Sequence, residues 1–481
     1  MSSSFFIKKK EKPNLIKKGN NTVGPKRKAD ANSGGKSKIP AKKPSKYNEE
    51  ISSDSETESP VVPKKRQSNE ENEYEETPQE KKLRLAKLYL EQLKEEEEKK
   101  AEDDSFETDL IAGRLQEEVL EQKGKLQRLI AKDLVPPDAS EIRLLRGHKL
   151  PITCLVISSD DKYIFSAAKD CSIIKWDFES GKKLRTIPGG RKGTEDRHVG
   201  HTAHILCMTI SSDGKYLATG DMNKLIMIWE AETCKHLYKF TGHKGPVSGL
   251  SFRRGTHDLY SASHDRSVKV WNVDENAYVE TLFGHQDAIT GLDSLSRERC
   301  VTAGGRDRSV RVWKIAEESQ LVFHGHEGSI DCIQLINEEH MITGADDGSV
   351  CLWSVNKKKP LSTVKQAHGC HGDTGLEQPH WVASVAALQN SDTVASGSHN
   401  SQLQLWKCGQ NYRGLEPLFS VPMCGFINSL KFSSSGQFLV AGVGQEHRLG
   451  RWWRIKEAKN GIYIIPLKRK PPNPEEAKTD E

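Results

Sequence analysis

The stretch GHKLPITCLVISSDDKYIFSAAKDCSIIKW, residues 147–176, decides the fold. It opens on Gly147-His148 and closes on Trp176. Between them lie three short runs, 152–157, 163–168 and 172–176, that alternate or run apolar. Ser158-Ser159-Asp160-Asp161 separates the first two as a turn, so the unit reads strand, turn, strand, turn, strand. The 28-residue interval from His148 to Trp176 recurs from His201 to Trp229, His243 to Trp271 and His285 to Trp313; it is 27 from His326 to Trp353. Two further units end at Trp406 and at Trp452-Trp453 without a Gly-His. Self-similarity at a fixed period marks a repeat architecture, whose units stack to bury what none can bury alone.

The repeating residues resemble the WD-repeat family, over residues 141–467. The resemblance implies that a loop His, a strand Ser or Thr, a turn Asp and a strand Trp form a hydrogen-bonded set locking each blade. The matching positions are His148, Ser166, Asp170 and Trp176; His243, Ser261, Asp265 and Trp271; and His326, Thr343, Asp347 and Trp353. The second unit has His201, Thr219 and Trp229 with Asn223 for Asp; in the fourth, Ala303 replaces the hydroxyl; the sixth lacks the His and carries Asn400. In the seventh the set is lost, and Trp453 is placed at the Trp position, with Gly450, Trp452 and Ile455 on buried sites. Seven units imply an all-β, seven-bladed WD-repeat propeller, a closed ring with only short sheet edges. Blade 7 needs an outer strand, for which Glu141–Arg146 is favoured over Gly461–Leu467. Recurrence at a fixed period makes these His, Asp and Ser residues structural and not a catalytic triad.

The chain has 481 residues and a net charge of +5, unevenly spread. Residues 1–48 carry 14 Lys or Arg against Glu11 and Asp30; residues 49–140 carry 15 basic against 26 acidic side chains; the rest is close to neutral. The chain divides into four segments: a disordered basic then acidic tail over 1–76, an amphipathic helical segment over 77–135, the propeller over 141–467, and a disordered tail over 468–481. Little in the basic arm can bury surface. Its clusters, Lys26-Arg27-Lys28 above all, read as a nuclear-import signal and as electrostatic contact with nucleic acid. Ser53 and Ser55 each precede an acidic residue by three positions, a pattern acidophilic kinases use.

Thr77-Pro78-Gln79-Glu80 reads as a capped helix start, with Leu83, Ala86, Leu90 and Leu93 at 3-4-3 spacing, too short for a self-sufficient coiled coil. A second helix is expected from about Phe106 to Lys132. Both are expected to dock on a partner in preference to this chain's own body, with Pro136-Pro137 marking the boundary.

No apolar run is long enough to span a membrane, and the N-terminal charges come after the apolar patch, the reverse of a secretory signal. The ten cysteines, scattered without a C-x-x-C pair, read as reduced thiols of an intracellular protein. His368-Gly369-Cys370-His371 lacks a second ligand pair at zinc-site spacing, so no metal is expected. No P-loop, H-E-x-x-H, G-x-S-x-G or dinucleotide fingerprint occurs, so neither an enzyme nor a cofactor is expected.

The turns between second and third strands should ring one face. They carry Lys169, Lys224, Arg266, Arg306, Arg308, His447 and Arg448, with Arg266, Arg306 and Arg308 expected to cluster. Guanidinium groups pair bidentately with phosphates, which makes this the expected RNA-contact patch. Arg451 and Arg454 beside Trp452-Trp453 add an expected stacking platform. Insertions at 188–199 and 367–380 are further places for specific contacts.

Four segments carry a closer resemblance: Glu80–Leu93, Ala168–Trp176, Tyr278–His285 and Gly444–Lys456. They are similar to the family of U3 small nucleolar ribonucleoprotein 55-kilodalton WD proteins. That resemblance implies a nucleolar, nuclear protein binding the box B/C element of the U3 small nucleolar RNA. It would sit beside the kink-turn-binding protein of box C/D particles, with small-subunit processome proteins taking the N-terminal helices. The competing class is a protein-only nuclear scaffold, a chromatin adaptor or ubiquitin-ligase receptor. Receptor propellers often place Arg two residues after a Trp-Asp pair, but Trp176-Asp177 is followed by Phe178 and Glu179.

Overall fold

Seven four-stranded antiparallel sheets form the blades, six of them simple meanders in chain order and the seventh completed by a strand from ahead of blade 1, each with its innermost strand at the ring axis. Blade 1 comprises Ile152–Ile157, Tyr163–Ala168, Ile173–Asp177 and Lys183–Ile187. Its inner three strands are buried and its outermost is largely exposed. The computed structural model describes residues 82–89, 92, 108–191, 193–194, 198–372 and 377–470. The import cluster Lys26-Arg27-Lys28, the Ser53 and Ser55 motif and the tail beyond Lys470 lie outside the described residues.

Both strands considered for closing the ring belong to blade 7. Gly461–Pro466 is its third strand and Arg143–Leu145 its outermost, pairing Leu144 with Tyr463. The ring is thereby sewn shut by strands from its two ends. Trp453 does not occupy the Trp position. Leu439 faces Ile465 across the sheet as Ile164 faces Trp176, so Ile465 fills that place. Trp452 and Trp453 are 59% and 38% exposed, and Gly450 and Ile455 only half-buried.

At six of the seven junctions between innermost strands one hydrogen bond recurs. A short side chain near the start of one strand donates to a carbonyl at the start of the next. Ser248 Oγ reaches Ile289 O, Thr290 Oγ1 reaches Ile330 O at 2.6 Å, and Ser384 Oγ reaches Ile427 O at 2.7 Å. Cys207 and Cys332 do the same through sulfur, to Val247 O and Val382 O. Asn428 Nδ2 to Ile152 O, at 2.8 Å, closes blade 7 on blade 1.

The second helix runs only over Thr108–Gln122, well short of Lys132. Gly124 ends it at φ 69, a left-handed position favouring glycine. Gly124 N donates to Glu121 O and Lys125 N to Leu120 O, the paired bonds of a Schellman stop. Beyond that stop, over residues expected to continue the second helix, the chain docks on its own propeller. Tyr412 Oη donates to Leu126 O, and Arg128 N to Asn390 O at 2.7 Å. The Asp392 carboxylate, fully buried, accepts from Ile130 N at 2.8 Å and Ala131 N at 3.0 Å. Leu134 joins the blade 6–7 core, and Leu134–Val135 pairs with Lys468–Arg469, so ordered structure continues past Leu467. The helical segment thus ends in a strap across the turns at the far end of blade 6.

Asp392→Ala removes the acceptor for two buried amides, and stability is expected to fall by about 1–3 kcal/mol. Hydrogen exchange should accelerate across 126–135 while the inner strands of blades 1–5 stay protected. Unchanged exchange in the strap would contradict this account.

Candidate nucleic-acid interface

Each face of the propeller is set by what locks its turns. In blade 1, Trp176 Nε1 donates to Ser166 Oγ at 2.8 Å, and His148 Nε2 lies 2.8 Å from the same hydroxyl. His148 Nδ1 meets Ser172 Oγ and Asp170. Blade 3 repeats this with His243, Ser261, Asp265 and Trp271. In blade 5, His326, Thr343 and Trp353 do so, with Ser349 between His326 and Asp347. The hydroxyls are wholly buried, so Ser166 is a hydrogen-bond hub and not a nucleophile.

Three blades form this set from residues that spacing did not identify. In blade 2, Asp221 rather than Asn223 contacts His201 Nδ1, at 2.9 Å. In blade 4, Thr302 supplies the hydroxyl, 2.7 Å from His285 Nε2 and 2.8 Å from Trp313 Nε1. Ala303 is one residue late because the turn between Gly304 and Ser309 is one residue longer than its blade 3 counterpart. Blade 6 does have its His: His368, inside the insertion, lies 2.7 Å from Ser396 Oγ, which also accepts from Trp406.

The turn Asp then shapes the face. Its carboxylate accepts the amide two residues on, as Asp265 does from Ser267 and Asp307 from Ser309. The residue between is left-handed and exposed: Arg266 at φ 69 and Arg308 at φ 54, with Lys224 at φ 70 in blade 2. Burial opposes charge on Asp170, Asp265 and Asp307, but hydrogen bonds from His and Ser hold all three below the usual carboxylate range.

Of the residues expected to meet RNA, Lys224, Arg266, Arg306, Arg308, Arg451 and Arg454 are exposed. Arg266 lines a groove of about 350 Å³ with Lys244, Lys269 and Phe283, a ring 72% exposed. Arg308 Nη1 donates to Glu327 O in blade 5. Lys169 is buried, its ammonium donating to Gly450 O at 3.0 Å beside Glu446. His447 is buried too. Arg448 turns into the axial channel, where Nη2 donates to Asp331 O at 2.6 Å. These three act inside the propeller.

The largest departure is the segment between Gly444 and Gly461. Expected as strand, it is an excursion on this face. It sets Trp452 6.1 Å from Trp381 and 5.3 Å from His447, and Trp453 4.8 Å from His399, ring centre to ring centre. Arg451 Nε is paired to Glu446 at 3.0 Å, and Arg454 donates to Gln445 Oε1. Exposed indole faces flanked by guanidinium groups suit base stacking and phosphate pairing.

The WD domain, G-beta repeat profile matches residues 139–177, 194–230, 234–272, 276–314 and 317–354. The chain is 68% identical over 400 residues to U3 small nucleolar RNA-interacting protein 2 of Homo sapiens, covering 83% of this chain and 84% of that one. It is 29% identical to ribosomal RNA-processing protein 9 of Saccharomyces cerevisiae, covering 74% and 78%. The solved structure described as "Structure of U3-55K" superposes with a TM-score of 0.67 at 69% identity, covering 69% of this chain and all of that one.

Two measurements check the locks. Thr302→Val keeps the shape and removes the hub of blade 4, with an expected loss of about 1–3 kcal/mol, whereas Ala303→Ser restores nothing. Burial holds the imidazoles of His326, His340, His368 and His399 down at about 4, and that of His447 at about 3. Unfolded histidines titrate near 6.5, so below that pH the unfolded chain binds more protons and stability falls. Asp331, raised to about 6 by burial, opposes this in part, as do Asp293 and Asp346, which burial also raises. The melting temperature should hold above pH 7 and drop steadily from 6.5 to 4; a flat profile would contradict neutral burial.

Proposed function

The chain belongs to the family of U3 small nucleolar RNA-interacting protein 2, and from that premise we propose that it is a binding scaffold of the U3 small nucleolar ribonucleoprotein in nucleolar pre-ribosomal RNA processing. Its RNA target in this reading is the box B/C element, held jointly with the kink-turn-binding protein. The observation that carries the reading is the Trp452-Trp453 platform with Arg451 and Arg454, on the face that also exposes Arg306 and Arg308. A rigid disc with such a face reads folded RNA by shape, phosphate and unstacked bases. The partner protein would fix the RNA's bend, and this chain would add stacking and charge. The propeller has no catalytic step in this role.

The test is binding of full-length protein to box B/C RNA, with and without the kink-turn protein, over a salt series. Trp452→Ala/Trp453→Ala is expected to weaken partner-dependent binding about 10- to 100-fold, from stacking worth ~1–3 kcal/mol per base. Arg266→Ala/Arg306→Ala/Arg308→Ala should weaken binding less and flatten the salt slope by up to about 0.7–0.9 per lost contact. Full binding by both variants would place the RNA elsewhere. No binding by wild type with the partner present would favour a protein-only scaffold.

A further inference from the structure

Three histidines from an insertion and a neighbouring blade turn meet beside the Trp453 ring. His371 and His380 lie on the 367–380 insertion, whose short hairpin pairs Cys370 with Pro379 and His371 with Gln378. His380 N donates to Gly369 O at 3.0 Å, which fixes the base of that hairpin. His399 comes from blade 6, in the turn after Thr393–Ser398. Next to it, Asn400 Nδ2 donates to His368 O, tying the turn to the insertion from the other side.

One nitrogen from each ring lies within 4.8 Å of the other two. His380 Nδ1 and His399 Nε2 are 3.1 Å apart. Two imidazole nitrogens on one zinc ion, each at about 2.0–2.1 Å and at the tetrahedral angle, stand roughly 3.3 Å apart. That pair is already at ligand spacing, and His371 needs only a small approach. A hydrogen bond between His380 and His399 accounts for two of the rings but leaves the third unexplained. Among the described residues, His371 Nδ1 is buried without a hydrogen-bond partner, and His399 is only 4% exposed.

We propose that His371, His380 and His399 form a binding site for a divalent transition metal of the zinc class, which pins the insertion to blade 6. The ligand chemistry fits: neutral imidazole is a ligand for Zn²⁺, Cu²⁺ and Ni²⁺, and carboxylate-preferring Mg²⁺ or Ca²⁺ is not matched. Burial, with the neighbouring rings, holds His399 at about 4 and lowers His380, so both are in the ligating form at neutral pH. Trp453 packs on two of the three, 5.3 Å from His371 and 4.8 Å from His399. A bound ion therefore orders the hairpin and the indole together, whatever ligand the indole serves.

The test uses full-length protein without a polyhistidine tag, with Zn²⁺ competed against a chromophoric chelator and Co²⁺ as spectroscopic probe. Wild type should bind one equivalent saturably, and Co²⁺ should show the strong visible bands of a tetrahedral nitrogen–oxygen site. Separate His371→Gln and His380→Gln variants, at half-buried positions, should each weaken Zn²⁺ binding at least about tenfold. Their melting in chelator should match wild type, which separates loss of a ligand from loss of fold. Zn²⁺ should raise the wild-type melting temperature and leave both variants unmoved. No saturable binding would overturn the proposal. So would equal affinity in the variants, or a thiolate charge-transfer band assigning the ion to cysteines.

Discussion

A buried hydroxyl that accepts from a tryptophan N–H and contacts a histidine is the interaction on which the rest of this structure depends. It occurs in six blades, at Ser166, Thr219, Ser261, Thr302, Thr343 and Ser396. The tryptophan fixes the third strand against the second, and the histidine fastens the incoming loop to the same point. In five of these blades an Asp from the next turn contacts the histidine or lies one Ser away. A polar group this deep is costly unless satisfied, so the set forms as a unit or the blade does not close. The face inherits its order from this unit, because the Asp that steadies the histidine also forces a left-handed, outward-facing residue at Arg266 and Arg308.

Blade 7 has no such hub: Ala441 faces Leu430 where Ser166 faces Leu155, and Ile465 stands for the tryptophan. Its register is held instead by Arg143–Leu145 along its outer edge and by Asn428 reaching blade 1. Released from the lock, the chain between Gly444 and Gly461 is free to leave the sheet and carry two tryptophans to the surface. The strap from Leu126 to Leu134, seated on Asp392, covers the opposite end. The seam of the ring is thus stabilised from both ends while its excursion stays open.

The propeller was legible because the lock is periodic: a Trp 28 residues after a loop His, blade after blade, fits a ring of repeated sheets and little else. Its variants were less so, since the set is defined in space and not by count. One extra turn residue moved the hydroxyl from position 303 to Thr302; an insertion carried His368 away from its expected place; Asp221 reached back where Asn223 could not. Blade 7 misled because Trp452-Trp453 look like a strand end, and nothing local says that Ile465 is the buried residue. Docking of the strap depends on long-range acceptors such as Asp392, which periodicity cannot reveal. The face was only partly readable. Turn positions of Arg266 and Arg308 derive from the lock, but the inward swing of Lys169, His447 and Arg448 depends on partners in other blades. The three-histidine cluster was only partly visible: His371 stands in a run set aside for want of a second ligand pair, and His399, which joins it, comes from a blade turn.

Photo-crosslinking of full-length protein to box B/C RNA in the presence of the kink-turn protein, with adducts mapped by mass spectrometry, tests the central claim most directly. The account predicts adducts on Trp452, Trp453 and their neighbours between residues 445 and 460, with others at the turns carrying Arg266, Arg306 and Arg308. Adducts confined to the opposite end, around residues 126–135 and 389–413, would contradict it.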